Sequence, residues 1–218
     1  MHFKEFEERG MNDFITYLEE TIPEKDSLKL VKTEAQKFYH SNSLEECLQT
    51  GYTLWEKANF QLQEVGVLLL GYCAHQYPDA LSFLRETVSR HKSWKVQEIL
   101  AMAFDNHCKI VGYEQALPLI QEWINDDNAN VRRAVSEGLR IWTNRPFFRE
   151  NPRIAVELLA ARREDGSEYV RKSAGNALRD ISRRHPELIL EELRRWNLSS
   201  KKVRQVYQLA GKFVMQNS

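Results

Sequence analysis

The chain has 218 residues, of which 42% are hydrophobic and 28% charged, as in one folded domain of ordinary composition. Its 9 glycines and 6 prolines are too few for a collagen-like, low-complexity or turn-rich β chain, and no uncharged apolar run approaches the ~18 residues that a membrane span needs. The net charge of zero hides a split: residues 1–128 hold 12 Lys and Arg against 21 Asp and Glu, whereas residues 129–218 hold 19 against 10.

This split predicts a polyanionic partner for the C-terminal part of the chain. The alternative is a solvated surface on which the two signs happen to segregate. The first ten residues are charged and lack the apolar core of a secretion signal. The three cysteines, Cys47, Cys73 and Cys108, form no Cys-x-x-Cys pair, which favours buried thiols in a reducing cytoplasm over disulfides or zinc.

In chain order, two helices near residues 12–21 and 26–39 are predicted first, and they would cap the N-terminal end within residues 1–40. Helical repeats then follow over residues 41–218. Each repeat contains a small aliphatic anchor followed by two polar residues, and apolar or small residues recur 3, 4, 7, 8 and 11 positions after it. That spacing marks one face of an α-helix. The anchors are Leu62, Val96, Val131, Val170 and Val203, separated by 34, 35, 39 and 33 residues.

A second amphipathic stretch precedes each anchor helix, and Pro78, Pro152 and Pro186 stand at the start of three of them. Proline is tolerated in a first helical turn because its missing N–H has no partner there. The predicted helix pairs are 43–57 with 60–75, 78–90 with 94–109, 114–125 with 129–143, 152–163 with 168–183, and 186–196 with 201–215. No segment alternates as a strand does. The sequence therefore predicts an all-α HEAT-like α-solenoid of about five helix pairs, in a single domain over residues 1–218.

In such a solenoid the second helix of each pair lines the concave side. Positions 2, 6, 9 and 13 after each anchor lie opposite the buried face. They are occupied by Glu98, Met102, Asp105 and Lys109 in the second pair, Arg133, Glu137, Arg140 and Asn144 in the third, Lys172, Asn176, Arg179 and Arg183 in the fourth, and Gln205 and Lys212 in the fifth. The predicted groove thus becomes basic toward the C-terminus, which suits the phosphates of a nucleic-acid backbone.

Carboxylates are the unexpected residues in this wall, because a DNA backbone repels them. Glu98 and Glu137 face the groove and Asp180 lies near its edge. The alternative is that they form ordinary salt bridges, such as Glu137 with Arg133 one turn earlier. Trp94, two residues before its anchor, projects toward the groove side, where it could stack on a base or sugar.

The other tryptophans are interpreted as packing residues: Trp55, Trp123, Trp142 and Trp196. His107-Cys108 lacks further ligands at suitable spacing, so we expect no metal site and no cofactor.

Several of these segments resemble the AlkC/AlkD superfamily of bacterial DNA alkylation repair proteins, most closely its AlkC-like branch. They are Val131-Arg132-Arg133, Ser136-Glu137-Gly138-Leu139-Arg140, Tyr169-Val170-Arg171-Lys172-Ser173 and the stretch from Asn176 to Pro186. The match is most specific over residues 94–196. The family's Pro-Arg-Leu-Pro-Trp after Arg140 is replaced by residues 141–148, and the Trp-Asp-x-x-Asp context of the AlkD-like branch is absent.

The resemblance implies a HEAT-like protein that cradles duplex DNA and excises alkylated bases by hydrolysing the N-glycosidic bond, acting in the bacterial cytoplasm at the nucleoid as a monomer. By the same resemblance, Glu98, Glu137, Arg133 and Asp180 match the branch's active-site cluster. The expected DNA contacts are Trp94, Lys95, Arg140, Lys172, Asn176, Arg179, Arg183 and Lys212. We expect Glu98 and Glu137 to stabilise positive charge on the sugar, Arg133 to orient Glu137, and Trp94 to contact the lesion.

Two other functions fit the same pattern. A non-catalytic scaffold for distorted or branched DNA would use the basic wall without needing a carboxylate. A protein-interaction adaptor would instead dock its partner on the acidic N-terminal half, and its DNA binding would be negligible at moderate salt.

Overall fold

The computed structural model describes residues 10–23 and 25–215, and this part of the chain is entirely helical, without a strand. Short 3-10 turns lie at Val88–Arg90 and Trp142–Asn144. The helices are α1 Met11–Thr21, α2 Leu28–Ser41, α3 Leu44–Trp55, α4 Phe60–Cys73, α5 Pro78–Glu86, α6 Trp94–Val111, α7 Leu117–Ile124, α8 Ala129–Gly138, α9 Pro146–Glu150, α10 Pro152–Ala160, α11 Glu168–Ser182, α12 Pro186–Arg194 and α13 Lys201–Ala210. The predicted all-α class is confirmed. The first nine residues of the predicted cap lie outside the described part.

The chain divides at the end of α6 into two compact units, residues 1–110 and 111–218. We call them the N-terminal and C-terminal units and describe each by itself; the single domain expected from the sequence stays a prediction. The anchor residues lie on α4 and α6 in the first unit and on α8, α11 and α13 in the second, as the repeat pattern predicts. We refer to these five as the anchor helices. None of the described helices is both long and apolar enough to cross a bilayer.

Helix starts follow local chemistry. Pro78, Pro152 and Pro186 occupy the first turns of α5, α10 and α12, as expected from the sequence. In α3 the side chains of Ser43 and Glu46 cap each other's backbone N–H groups in a reciprocal capping box. The side chain of Asn128 likewise accepts a hydrogen bond at the start of α8. These contacts stabilise helix N-termini whose first N–H groups have no intrahelical partner.

The N-terminal unit is built around α4, which is apolar on nearly all sides and packs against α2, α3 and α5. Its glycines permit close helix contacts: a Cβ atom on Gly66 would lie 2.6 Å from the Gly51 carbonyl oxygen of α3. Cys47, Cys73 and Cys108 are buried free thiols, which confirms their predicted state.

In the C-terminal unit the anchor helices pack side by side, α8 on α11 and α11 on α13. Gly175 makes the second contact possible, since a Cβ there would lie 2.8 Å from Leu209 Cβ. At the first contact the buried hydroxyl of Ser173 donates to Ser136 over 2.7 Å. The tryptophans predicted to pack are buried in this unit: Trp123, Trp142 and Trp196. Trp55, in the N-terminal unit, is half-buried and packs edge-on against Phe83.

The residue that follows each anchor has a repeated structural role. In all five repeats its side chain donates a hydrogen bond to a backbone carbonyl in the segment before the anchor helix. The pairs are Gln63 with Trp55 (3.1 Å), Gln97 with His91 (2.8 Å), Arg132 with Asp126 (2.7 Å), Arg171 with Asp165 (2.7 Å) and Arg204 with Leu198 (2.7 Å). Each bond satisfies a carbonyl that no helix would otherwise pair. The first of the two polar residues after each anchor therefore has a structural role.

The C-terminal unit uses the same side chains to join successive repeats. Arg132 forms a bidentate pair with Asp165 of the next repeat, with both N···O distances 2.7 Å. Arg171 in turn donates to Gln205 Oε1 over 2.9 Å. One arginine therefore holds its own turn and the neighbouring repeat together.

Several predicted helices are wrong in their extent. The apolar spacing predicts a helix over 129–143, but α8 ends at Gly138 and a 3-10 turn and the short α9 follow. Arg145 donates to the carbonyl oxygens of Gly138 and Ile141, both over 2.9 Å, and so stabilises the early end of α8. Trp142 is still buried, as predicted, but it packs edge-on against Phe148 of α9 from outside the helix. The predicted helices 78–90 and 201–215 also end earlier, at Glu86 and Ala210.

Candidate nucleic-acid site

Three of the predicted site residues meet in the C-terminal unit. The Arg140 guanidinium lies between Asp180 of α11, with Nε 3.3 Å from Oδ2, and Glu137 of α8, with Nη1 3.6 Å from Oε2. Both carboxylates are partly exposed, with 23% of the Glu137 side chain and 20% of that of Asp180 accessible. Two carboxylates on neighbouring anchor helices are thus held at one accessible place by one cation.

Asp180 is the more tightly held of the two acids. Its other oxygen, Oδ1, accepts from Nε and Nη2 of Arg179 over 3.2 and 3.1 Å. Arg179 also donates to Asn176 Oδ1 over 3.0 Å. We call Glu137, Arg140, Arg179 and Asp180 the acid–arginine cluster. Within it, both oxygens of Asp180 are engaged, whereas Glu137 contacts Arg140 over the longer distance of 3.6 Å.

Arg140 reaches this position from outside a helix. The helical wheel that predicted Arg140 on the groove face required α8 to continue past Gly138, which it does not. Its observed contacts are with carboxylates, and its predicted contact with phosphate stays a prediction. Arg133 lies half-buried on α8, and its role in orienting Glu137 is also a prediction.

The predicted cationic residues of this unit lie on α11, directly after it, and directly after α13. Arg179 and Arg183 stack over the ring of Phe213, at 5.8 and 4.6 Å from its centroid. Lys172 pairs with Glu168 one turn earlier over 2.6 Å, and Lys212 is exposed. Stacking on a ring does not neutralise a guanidinium, so the charge of Arg183 stays available to an anion, whereas Arg179 is already paired with Asp180.

In the N-terminal unit Trp94, at the start of α6, is 59% exposed, as a stacking residue must be. The neighbouring Lys95 forms a salt bridge with Asp26 over 2.9 Å and lies 4.8 Å from the Phe60 ring centroid. Glu98, one turn along α6, is half-buried. Whether Glu98 and Glu137 serve one site stays a prediction.

Glu64 of α4 is a buried carboxyl that the sequence analysis did not select. It is 2% exposed, and its Oε2 atom has no hydrogen-bond partner. Burial raises the pKa of Glu64 to about 7. The negative charges of Asp26 and Glu98 raise this pKa further, and the positive charge of Lys95 partly opposes them. Glu64 stands two residues after the anchor Leu62, which is the same position that Glu98 has after the anchor Val96. The spacing rule that selected Glu98 would therefore also have selected Glu64.

We expect Glu64→Gln to stabilise the protein at pH 8 by up to ~3 kcal/mol and to have little effect near pH 4.5. The Glu64 carboxyl binds its proton more tightly in the folded protein, where its pKa is about 7, than in the unfolded chain, where a glutamate pKa is ~4.3. The free energy of unfolding of the wild type therefore falls as the pH rises from ~4.3 through about 7. Urea denaturation at both pH values measures the difference. The exposed Glu56→Gln is the control, and an equal effect of Glu64→Gln at both pH values would contradict the prediction.

The sequence analysis also missed Phe213, the platform under Arg179 and Arg183. Phe213 lies 10 residues after the anchor Val203, and position 10 is not one of the groove-facing positions 2, 6, 9 and 13. No signal in the sequence therefore distinguished it from a core residue. Among the described residues no group of three or more His, Cys, Asp or Glu side chains is placed to hold a metal ion.

Comparison with solved structures shows the fold class. The crystal structure of AlkD2 from Streptococcus mutans superimposes with a TM-score of 0.89 at 44% identity, covering 94% of this chain and 99% of that one. The Pseudomonas fluorescens alkylpurine DNA glycosylase AlkC, bound to DNA containing an abasic site analog, superimposes with a TM-score of 0.59 at 22% identity, covering 96% of this chain and 63% of that one. The fold is therefore that of the HEAT-like α-solenoid proteins.

Sequence comparison gives the family. The uncharacterized protein YhaZ of Bacillus subtilis is 26% identical in an alignment of 166 residues that covers 62% of this chain and 46% of that protein, so the chain spans about half of this relative's length. The model of the family described as DNA alkylation repair enzyme matches residues 22–202. This match includes the acid–arginine cluster, Glu64, Trp94 and Glu98. The chain is a member of the DNA alkylation repair enzyme family.

Proposed function

We propose that this protein binds duplex DNA and hydrolyses the N-glycosidic bond of cationic alkylated bases. The observation that carries the proposal is the acid–arginine cluster, in which two accessible carboxylates stand among cations on adjacent anchor helices. Membership of the DNA alkylation repair enzyme family supports this function. The excess of Lys and Arg in residues 129–218 supports a polyanionic partner.

In this proposal the chemistry requires a fixed negative charge. An alkylated base that carries a positive charge is a good leaving group, and breaking its glycosidic bond develops positive charge on the deoxyribose. A carboxylate about 4 Å away, at an effective dielectric of about 20, stabilises that charge by ~4 kcal/mol, or roughly a thousandfold in rate if the attraction is confined to the transition state.

The two carboxylates of the cluster have different roles in this mechanism. Glu137 faces the sugar and orients or deprotonates the attacking water. Asp180 holds Arg140 and Arg179 in place, because both of its oxygens are already engaged. Glu98 and Arg133 are proposed to assist from α6 and α8, as the family resemblance implies, and Trp94 to contact the lesion.

The decisive experiment is incubation with N-methylated duplex DNA followed by chromatography of the freed bases. Release of methylated base by the wild-type protein supports the proposal. Binding without release identifies the second candidate, a non-catalytic scaffold for distorted or branched DNA. One observation favours that candidate: both carboxylates of the cluster already form ion pairs with arginines.

A protein adaptor is separated from both DNA functions by salt dependence. Replacing Arg183 or Lys212 by glutamine should each lower the slope of log affinity against log salt by about 1, because each phosphate contact contributes ~0.9. Affinity for a fixed duplex is measured by anisotropy across a salt series. Arg153→Gln is the matched control, since this arginine of α10 pairs with Glu191 over 3.0 Å and belongs to no anchor helix. Equal slopes for all three variants would remove Arg183 and Lys212 from the interface.

A further inference from the structure

The turn after α13 places an aromatic ring against the end of α11. Phe213 lies in this turn and is half-buried. The guanidinium carbon of Arg183, the residue directly after α11, lies 4.6 Å from the centroid of the ring, and that of Arg179, one turn earlier, lies 5.8 Å from it. Both distances are within the range of a cation–π contact. We call Phe213 and Arg183 the stacked pair.

The backbone fixes the position of the ring. The N–H groups of Val214 and Met215 both donate to the Gly211 carbonyl, over 3.1 and 3.0 Å, and so close the turn around Phe213. The helix before this turn, α13, packs closely on α11 at Gly175. The ring is therefore a fixed surface on which a flexible side chain can lie.

The two arginines on the ring differ in what else they contact. Arg179 donates to Asp180 Oδ1 over 3.2 and 3.1 Å and to Asn176 Oδ1 over 3.0 Å, so its charge is already paired. Arg183 is exposed, and in the part of the chain that the structure describes no carboxylate pairs with it. A guanidinium that stacks on a ring keeps its charge and its N–H donors. Of the two arginines, Arg183 is therefore the one that can meet an external anion.

We propose that Phe213 is a positioning residue for DNA binding, whose ring holds Arg183 ready to contact a backbone phosphate. The proposal rests on the proposed function and adds to it the side chain that prepares one of its phosphate contacts. Ordering a free arginine side chain on binding costs affinity, because the rotamers that it samples are lost. Stacking restricts those rotamers before the DNA binds. The exposed Lys212, which directly precedes Phe213, adds positive charge at the same turn.

A purely structural role for Arg183 makes different predictions. Arg183 caps the C-terminal end of α11, where a cation interacts favourably with the helix dipole. In that role Arg183→Gln would lower the free energy of unfolding and leave the affinity of the folded protein for DNA unchanged. Phe213 would likewise matter for stability alone. Affinity and stability are therefore measured on the same variants.

Affinity for an undamaged duplex, measured by anisotropy across a salt series, tests the stacked pair. Arg183→Gln should lower the slope of log affinity against log salt by about 1, because one phosphate contact is lost. Phe213→Leu should weaken affinity about threefold at every salt concentration with an unchanged slope, since the contact still forms but is no longer prepared. Phe213→Tyr keeps the ring and should bind as the wild type does. In the Arg183→Gln background, Phe213→Leu should have no further effect.

Lys172→Gln provides the matched control. Lys172 is an exposed cation of α11 that lies 11 residues before Arg183 and pairs with Glu168, so its effect and that of Phe213→Leu should add. Urea denaturation without DNA shows whether each variant is folded, and Phe213→Met takes the place of Phe213→Leu if the latter is not. If Phe213→Leu binds as tightly as the wild type, or weakens the Arg183→Gln variant just as much, the positioning role is overturned while DNA binding stands. If the wild type shows no salt-dependent affinity for the duplex, the proposed function itself fails.

Discussion

Replacing Glu137 by glutamine is expected to reduce release of methylated base about a thousandfold while DNA affinity is retained or increased. The amide keeps the size of the side chain but removes the negative charge that would stabilise the sugar cation in the transition state, worth ~4 kcal/mol. Loss of a carboxylate near phosphates also removes a repulsion, so binding should not weaken. Single-turnover base release and anisotropy, measured on the same duplex, separate the two effects.

The control for this substitution is Glu157→Gln, which removes an exposed carboxylate from α10 of the same unit, outside the acid–arginine cluster. It should leave release unchanged. Asp180→Asn is expected to act differently from Glu137→Gln, since loss of its two arginine contacts should also disturb Arg140 and lower affinity. Undiminished excision by Glu137→Gln would place the chemistry on another residue, with Glu98 the next to test.

The second large effect concerns stability. Arg132→Met should lower the free energy of unfolding by about 3–5 kcal/mol, because it leaves the carboxylate of Asp165 buried without its partner. Only 3% of the Asp165 side chain is accessible, and the two Arg132 bonds to it measure 2.7 Å each. The substitution also removes the bonds to the carbonyls of Asp126 and Asp127 that hold the turn before α8.

The pH dependence of this loss identifies its cause. Burial alone would raise the pKa of Asp165, but hydrogen bonds from Arg132 and from the Ser167 backbone N–H outweigh it, so the pKa lies below its ordinary value. The stabilisation is therefore present above the unfolded aspartate pKa of ~3.9 and is lost as pH falls further. Urea denaturation at pH 7 and pH 3 should show a large and then a smaller effect of Arg132→Met. Arg153→Met, which breaks the exposed pair with Glu191, should show little effect at either pH.

Much of the fold could be predicted because the repeats carry local signals. The spacing of apolar residues after each anchor depends only on the 3.6-residue turn of the helix, and the prolines at the starts of α5, α10 and α12 depend only on their missing N–H. The end of α8 could not be predicted in this way. Trp142 lies 11 residues after Val131, where a continued helix would place an apolar residue. The apolar spacing therefore extends past Gly138, although the helix ends there.

The candidate site was predictable in part for the same reason. Glu137 and Asp180 were selected from helix faces and family resemblance, and they do approach each other through Arg140. Arg140 itself was assigned to phosphate because its position was calculated on a helix that ends two residues earlier. The stacking of Arg183 on Phe213 and the burial of Glu64 Oε2 both depend on residues that are far apart in sequence. A helical wheel describes a single chain segment and cannot predict such contacts.

The amino-acid sequence by itself determined the helical repeats, their register and the residue types that face away from the core, because these follow from periodicity along one chain segment. Tertiary structure alone decided which polar residues are structural and which stay available to a ligand. The arginine after each anchor in the C-terminal unit is occupied by carbonyls of its own turn, whereas Arg183 is stacked and still charged. The physical reason is that a guanidinium's role is set by the acceptors within hydrogen-bond reach, and those acceptors come from turns and helices that only packing brings together.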